Sequence, residues 1–200
     1  MVFWILFAIL YLPCLILFPV FKRGRKNLKQ LKKSKQNFIV ACNHMSNLDP
    51  VMMDITFRRK YCFLAKKELF SNKFTAWLMR SLGAVPVDRG AADTRAIKEI
   101  FTKLKKGKKV CIFPQGTRAK TVKVEGETAK EGVAMFSLRT DTPVVPMMFS
   151  RKLGLFRPAK LYIGEPIYPD VEKKKDKEYM SEYANLIVEK MNGLLEGERK

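Results

Sequence analysis

Histidine is nearly missing from this 200-residue chain: His44 is the only one. Carboxylates are scarce too, with 19 Asp and Glu against 39 Lys and Arg, and none precedes Asp49. These shortages narrow where acid–base chemistry could sit. Imidazole is the side chain whose ordinary pKa, about 6.5, lies nearest neutral pH. The four cysteines, Cys14, Cys42, Cys62 and Cys111, lie far apart and form no CxxC pair. With a single histidine they cannot complete a usual zinc set, which argues against a metal site. Cys42, Cys62 and Cys111 fall in apolar, strand-like runs and read as buried free thiols of a reducing compartment. Zinc-finger spacing, an aromatic–glycine RNA-binding signature and a long basic helix are all absent, so nucleic acid as a partner rests on charge alone. There is no internal repeat.

What is present is a strong positive excess and a long apolar start. The formal net charge of +20 implies anionic partners such as a membrane surface or a phosphorylated substrate. An apolar fraction of 47% is enough for one domain with a real core. Val2 to Phe21 contain no charged residue, and as a helix this run would reach about 30 Å, the thickness of a bilayer core. Lys22, Arg23, Arg25, Lys26, Lys29, Lys32, Lys33 and Lys35 follow directly. By the positive-inside rule that flank, and the domain after it, belongs on the cytoplasmic face. A cleaved signal fits poorly, because no basic stretch precedes the run and no small-x-small site follows it. Pro13 and Pro19 interrupt the run, so a full span and a kinked insertion into one leaflet both stay open. Residues 1–35 therefore read as a membrane anchor with a basic juxtamembrane segment, and residues 36–200 as the functional domain.

Beyond the linker, strand-like runs appear at Asn37–Cys42, Tyr61–Ala65, Ala84–Val87, Lys109–Phe113, Val144–Phe149 and Lys160–Ile163. Helical patterns cover Pro50–Arg59, Leu69–Leu82, Ala92–Lys106, Glu131–Thr140 and Lys177–Leu195. In the third of these, Ile97, Ile100, Phe101 and Leu104 follow helical spacing, and Gly107 makes a natural stop. The last carries Met180, Ala184, Ile187, Met191 and Leu194 on one stripe. This alternation predicts an α/β fold with a mainly parallel central sheet and flanking helices, preceded by an N-terminal membrane-inserted helical segment. In such sheets ligands bind at the carboxyl ends of the strands. Three polar segments fall at strand ends: His44, then Arg89 and Gly90, then Pro114 to Arg118.

Each segment has two readings. Five positions on one continuous helix would turn His44 and Asp49 about 140° apart. A catalytic pair therefore needs a turn between them. Asp49 is also a candidate N-cap with Pro50 at the first helical position, and Ser46-x-x-Asp49 is an overlapping capping pattern. Phe113-Pro114-Gln115-Gly116-Thr117-Arg118 is a strand breaking into a tight turn. Its Gly116 permits unusual backbone angles, Thr117 brings a hydroxyl, and Arg118 brings a planar fork suited to phosphate. An ordinary turn with a surface arginine is the alternative. Arg89 is either a second phosphate ligand or the local partner of Asp88.

These segments resemble the conserved blocks of the membrane-bound glycerolipid acyltransferases, a family that includes 1-acyl-glycerol-3-phosphate acyltransferases. Asn43-His44-x-Ser46-x-x-Asp49 is similar to the first block and Gly83–Gly90 to the second. Phe113–Arg118 is similar to the third and Val144-Val145-Pro146 to the fourth. Lys130-x-Gly132 stands where a similar basic pair often lies. The blocks run in family order over about half the chain. The resemblance implies transfer of an acyl group from a thioester, on coenzyme A or acyl carrier protein, to the free hydroxyl of a lysophospholipid, giving phosphatidic acid. No cofactor is implied. His44 would be the general base and Asp49 its orienting carboxylate. Arg89, Arg118 and Lys130 would hold the phosphate, with Gln115, Gly116 and Thr117 beside them, and Asn43 and Ser46 would support the site. One departure stands out: the third block usually has Glu where this chain has Gln115. That leaves room for a different lysolipid acceptor, or for a non-catalytic anionic-lipid binding relative.

Overall fold

The computed structural model describes residues 2–29, 33, 36–88, 93–125 and 130–196. The chain alternates strands and helices: α1 (Val2–Leu17), β1 (Val20–Arg23), β2 (Ile39–Cys42), α2 (Asp49–Phe57), β3 (Phe63–Lys66), α3 (Lys73–Ser81), β4 (Ala84–Val87), α4 (Thr94–Lys105), β5 (Val110–Ile112), α5 (Lys130–Thr140), β6 (Val144–Phe149), β7 (Ala159–Ile163) and α6 (Lys177–Glu196). A five-stranded sheet has the order β1-β7-β6-β2-β5, and β3 pairs with β4. Cys62 joins the two sheets. Its N–H donates to the Lys109 carbonyl at 2.8 Å, and its carbonyl accepts from Cys111 N–H at 2.8 Å. All pairings are parallel except β6 with β7. The α/β expectation with a mainly parallel sheet is borne out.

Alternation along the strands divides the core. Ile39 and Ala41 of β2 face a cluster built with α4, α5 and α6. Val40 and Cys42 face the other way, into a cluster built with α1 and α2. The sheet is thus a middle layer between two layers of helices, which is why β2 and β6 are buried along their whole length.

Local signals explain most boundaries. In α4 the N-cap Asp93 accepts from Arg95 and Ala96 N–H, both at 3.1 Å. Ala96, Ile100 and Leu104 line its buried face, and the chain leaves the helix through Gly107 at φ 69°. Ala92, the expected start of that helix, lies outside the described residues. Gly83, ahead of β4, has φ 94°, and a side chain there would collide with the Tyr61 carbonyl.

Three differences from the sequence reading have physical causes. The helix expected over Leu69–Leu82 is a short 3-10 turn, Lys67–Phe70, followed by α3. Asn72 breaks it by adopting extended backbone and accepting from Thr75 N–H at 2.8 Å, which restarts the helix. The run Val2–Phe21 is not one helix either. α1 ends at Leu17, and after Pro19 the chain becomes β1, paired with β7 from Val20↔Ala159 to Arg23↔Tyr162. The sheet therefore includes residues read from the sequence as anchor and linker. Finally, α1 is also part of the core wall: Phe7, Tyr11, Cys14 and Leu15 pack on the α1–α2 cluster. The Tyr11 hydroxyl accepts from Arg58 Nε at 2.8 Å. Its outer face leaves Trp4, Ile5, Ile9, Leu12 and Ile16 exposed. At 16 residues, or about 24 Å, α1 falls short of a bilayer core. Among the described residues no helix is long and apolar enough to cross a membrane.

Candidate active site

β2, β3, β4 and β5 run parallel, so the segments that follow them emerge at one rim of the sheet. His44 lies just past β2. Its Nδ1 is 2.9 Å from Asp49 Oδ2. The same carboxylate oxygen accepts from Met45 and Ser46 N–H, both at 2.7 Å. The turn at Asn47-Leu48 folds the helix start back on the strand end, which the five-residue spacing required. The N-cap of α2 is Leu48, not Asp49, so the Asp-Pro reading is corrected by one residue. Asp49 is instead the first helical residue and reaches back to Ser46 N–H. This is the returning half of the Ser46-x-x-Asp49 capping pattern, and the Ser46 hydroxyl accepts from Leu48 N–H at 3.2 Å. Capping and pairing with histidine are thus one arrangement. The carboxylate is fully buried at 0% exposure, and the helix N-terminus favours an anion there.

An ionised Asp49 accepts from Nδ1–H, which leaves Nε2 of His44 as a bare acceptor, with no hydrogen bond among the described residues. The imidazole is 13% exposed and stacks on Phe113, the ring centroids 4.4 Å apart and the planes at 29°. That geometry fits a base held in one orientation, with one open nitrogen at the rim.

The backbone around the ring is also held. Gln115 Oε1 accepts from His44 N–H at 2.7 Å, and the His44 carbonyl accepts from Ala119 N–H at 2.8 Å. The other end of the Gln115 amide, Nε2, donates to the Lys123 carbonyl at 3.4 Å. Gln115, expected among the substrate-binding residues, makes both of these bonds inside the protein. Asn43 is completely buried. Its Oδ1 accepts from Phe149 N–H at 2.8 Å, and its Nδ2 donates to the carbonyls of Phe149 at 3.1 Å and Val122 at 3.2 Å. It ties the end of β2 to the end of β6 and to the loop after β5. Farther along that loop, Asn192 of α6 accepts from Val124 N–H at 2.9 Å and donates to its carbonyl at 3.2 Å.

The turn after β5 closes with Gly116 N–H donating to the Phe113 carbonyl at 3.0 Å, and Gly116 adopts φ 65°. Gly116, Thr117 and Arg118 are exposed, and Arg118 makes no hydrogen bond or ion pair among the described residues. Arg89 and Gly90 lie outside the described residues, as does the side chain of Lys130, which opens α5. Asp88, the alternative partner of Arg89, stands 3.4 Å from Lys67 Nζ. Val144-Val145-Pro146 pairs with Ile39–Ala41 and supports β2 from beside it. The sequence reading named Phe113 only as the start of the third block, with no role at the site, and it missed Asn192. Phe113 could have been found from its place beside Pro114 at a strand end, whereas nothing local marks Asn192.

Thiol chemistry is disfavoured here. Cys42 and Cys111 are buried next to the site, and burial pushes both thiols well above their ordinary pKa; Cys111 and Asp49 add to the shift at Cys42, and Asp54 and Asp49 add to it at Cys111. Neither supplies a ready thiolate.

Residues 20–150 match the family model described as Acyltransferase, well over half of the chain. The chain belongs to the Acyltransferase family. It is 32% identical over 146 residues to the 1-acyl-sn-glycerol-3-phosphate acyltransferase of Bacillus subtilis, covering 70% of this chain and 71% of that one. It is 29% identical over 168 residues to the protein of the same name from Streptococcus pneumoniae, covering 80% of this chain. The match spans 61% of the length of that relative. The crystal structure of the lysophosphatidic acid acyltransferase PlsC from Thermotoga maritima superposes with a TM-score of 0.65 at 28% identity, covering 90% of this chain and 73% of that one. The family resemblance read from the four blocks is borne out.

Proposed function

We propose that this acyltransferase moves an acyl group from a thioester to the free hydroxyl of 1-acyl-sn-glycerol-3-phosphate, giving phosphatidic acid. Nε2 of His44 takes the hydroxyl proton as the oxygen attacks the thioester carbonyl carbon. The tetrahedral adduct then expels the thiolate, which takes up the proton, and the ester remains. Asp49 holds the imidazole in the required tautomer and offsets the charge of the imidazolium, a combination worth about 10²–10⁴-fold. The thioester is already activated, so no acyl-enzyme is required. Arg118, exposed in the turn tied to His44 through Gln115, is the phosphate ligand, with Arg89 and Lys130 as further ligands.

The observation that carries this reading is the His44–Asp49 contact of 2.9 Å with Nε2 left open at the rim. The names of the relatives supply the acceptor. The exposed apolar face of α1 and the basic residues after it support a helix lying in one leaflet of an anionic membrane, with the site at the cytoplasmic face. The test is transfer of labelled acyl groups to lysophosphatidic acid, from acyl-coenzyme A and acyl carrier protein in parallel, by the wild type and His44→Ala. The variant is expected to lose at least about 10²-fold in rate. Full activity in the variant would refute the mechanism. Binding of lysolipid without turnover in the wild type would make the chain a lipid-binding relative.

A further inference from the structure

The loop from Ser150 to Pro158, between β6 and β7, has no part in the chemistry above. β6 is parallel to β2, so this loop starts at the rim that carries His44, and its first neighbour, Phe149, is bonded on both sides by Asn43. Leu153 is buried and roots the loop in the core. Beyond it the chain forms a tight turn, Gly154 pairing with Arg157, whose N–H donates to the Gly154 carbonyl at 3.1 Å. The two residues at the tip are large and apolar: Leu155 is 57% exposed and Phe156 is 64% exposed.

Folding alone does not favour this tip. Phe156 has φ 55°, a left-handed conformation that suits glycine or asparagine and strains a bulky side chain. An aromatic ring is thus held in a strained conformation and left facing water. The tip also abuts α1, since Phe156 N–H donates to the Leu17 carbonyl at 2.6 Å. Leu12 and Ile16 of α1 and Phe21 of β1 are exposed nearby in sequence. Arg151, Lys152 and Arg157 flank the tip, all exposed, and none has a carboxylate partner among the described residues. Apolar tip, cationic collar and the bond to the end of α1 together match the two layers of an anionic bilayer surface, acyl chains beneath phosphates.

We propose that the Gly154–Arg157 turn is a second membrane-contacting element: Leu155 and Phe156 enter an anionic phospholipid surface beside α1, and Arg151, Lys152 and Arg157 meet its phosphates. The proposal rests on the reading of α1 as a helix lying in the leaflet. It makes the rim around His44 rest on the bilayer at two points, a helix and a turn, where one point would leave it free to tilt.

The test is flotation of the full chain with phosphatidylcholine vesicles, with and without phosphatidylglycerol. Phe156→Gly suits the backbone at that position, so it should melt no lower than the wild type, and lost binding could not be blamed on unfolding. Combined with Leu155→Ser it is expected to weaken partitioning by about tenfold or more. Arg151→Gln with Lys152→Gln and Arg157→Gln should weaken binding only where phosphatidylglycerol is present. Unchanged partitioning of the Leu155→Ser, Phe156→Gly variant would overturn the proposal. If Ile9→Ser with Leu12→Ser abolishes binding in that case, the reading of α1 survives its failure. A wild type that ignores both vesicle types overturns both. A wild type that self-associates without vesicles, and is made monomeric by the tip substitutions, would assign the tip to a second copy and also overturn the proposal. Acyl transfer to a short-chain, water-soluble lysophosphatidic acid should be unaffected by the tip substitutions, so the catalytic reading is judged separately.

Discussion

Asp49 and Asp54 stand at opposite ends of α2, both with buried carboxylates, and their surroundings could hardly differ more. Asp49 sits in the first turn, where the helix dipole favours an anion, and one of its oxygens gathers three N–H groups, including that of His44. Asp54 sits in the last turns, where the dipole opposes an anion. It accepts a single backbone bond, from Tyr61 N–H at 2.8 Å; its Oδ2, like Oδ1 of Asp49, has no partner among the described residues. Burial pushes the Asp54 pKa up to about 8, against the smaller pull of the Tyr61 N–H and the Lys60 charge. One short helix thus gathers three donors on the carboxylate at one end and leaves the one at the other with a single donor and a raised pKa. Donor supply and helix polarity, rather than depth of burial, separate the two.

Substitution to the isosteric amide should break the symmetry between them. On the proposed mechanism, Asp49→Asn removes the charge that steadies the imidazolium and the acceptor that fixes its tautomer. Acyl transfer should fall by about 10²–10⁴-fold, measured as kcat on labelled thioester, while the far-ultraviolet circular dichroism stays that of the wild type. Retained activity would mean that Asp49 is only a helix cap. Asp54→Asn should leave kcat alone and act on stability. The folded-state pKa of Asp54 is raised above its ordinary 3.8, so its favourable contribution is complete below about pH 4, is lost as pH rises to about 8, and is flat beyond that. The amide mimics the neutral form at every pH. Melting curves should therefore show the variant gaining on the wild type between those limits, by at most about 1.4 kcal/mol per pH unit. A gap independent of pH would contradict the burial of a neutral Asp54. The smallest effect is expected from Gln115→Glu. A carboxylate can still accept from His44 N–H but cannot donate to the Lys123 carbonyl, a long bond at a half-exposed position. The expected loss is under about 1.5 kcal/mol in melting, with activity within severalfold of the wild type. A loss of activity as large as that of Asp49→Asn would show that the amide is required for catalysis itself.

Much of this architecture is legible in the chain. The strands β2, β4, β5 and β6 follow from apolar runs bounded by turn residues, and α4 from its cap, stripe and terminal glycine. β1 was hidden because Val20 and Phe21 prolong an apolar run, and only Pro19 hints that the helix has ended. The division of α1 into an inner and an outer face could not be read either, since both faces are apolar and partner contacts alone tell them apart. At the site, scarcity drew attention to His44 and Asp49, but only the resemblance by blocks and the polar segments at other strand ends made them legible as a pair. The role of Gln115 was not. It depends on the parallel register Ala41↔Ile112, which sets the turn after β5 against the residues after β2. Sequence spacing carries no record of that contact.

The tether at Gln115 has one further consequence. An amide has no proton to gain or lose over the range in which proteins stay folded, so its hold on the His44 backbone is the same in acid and in alkali. A glutamate in that position would place a titrating group one hydrogen bond away from the His44 backbone, and its grip there would change with its charge.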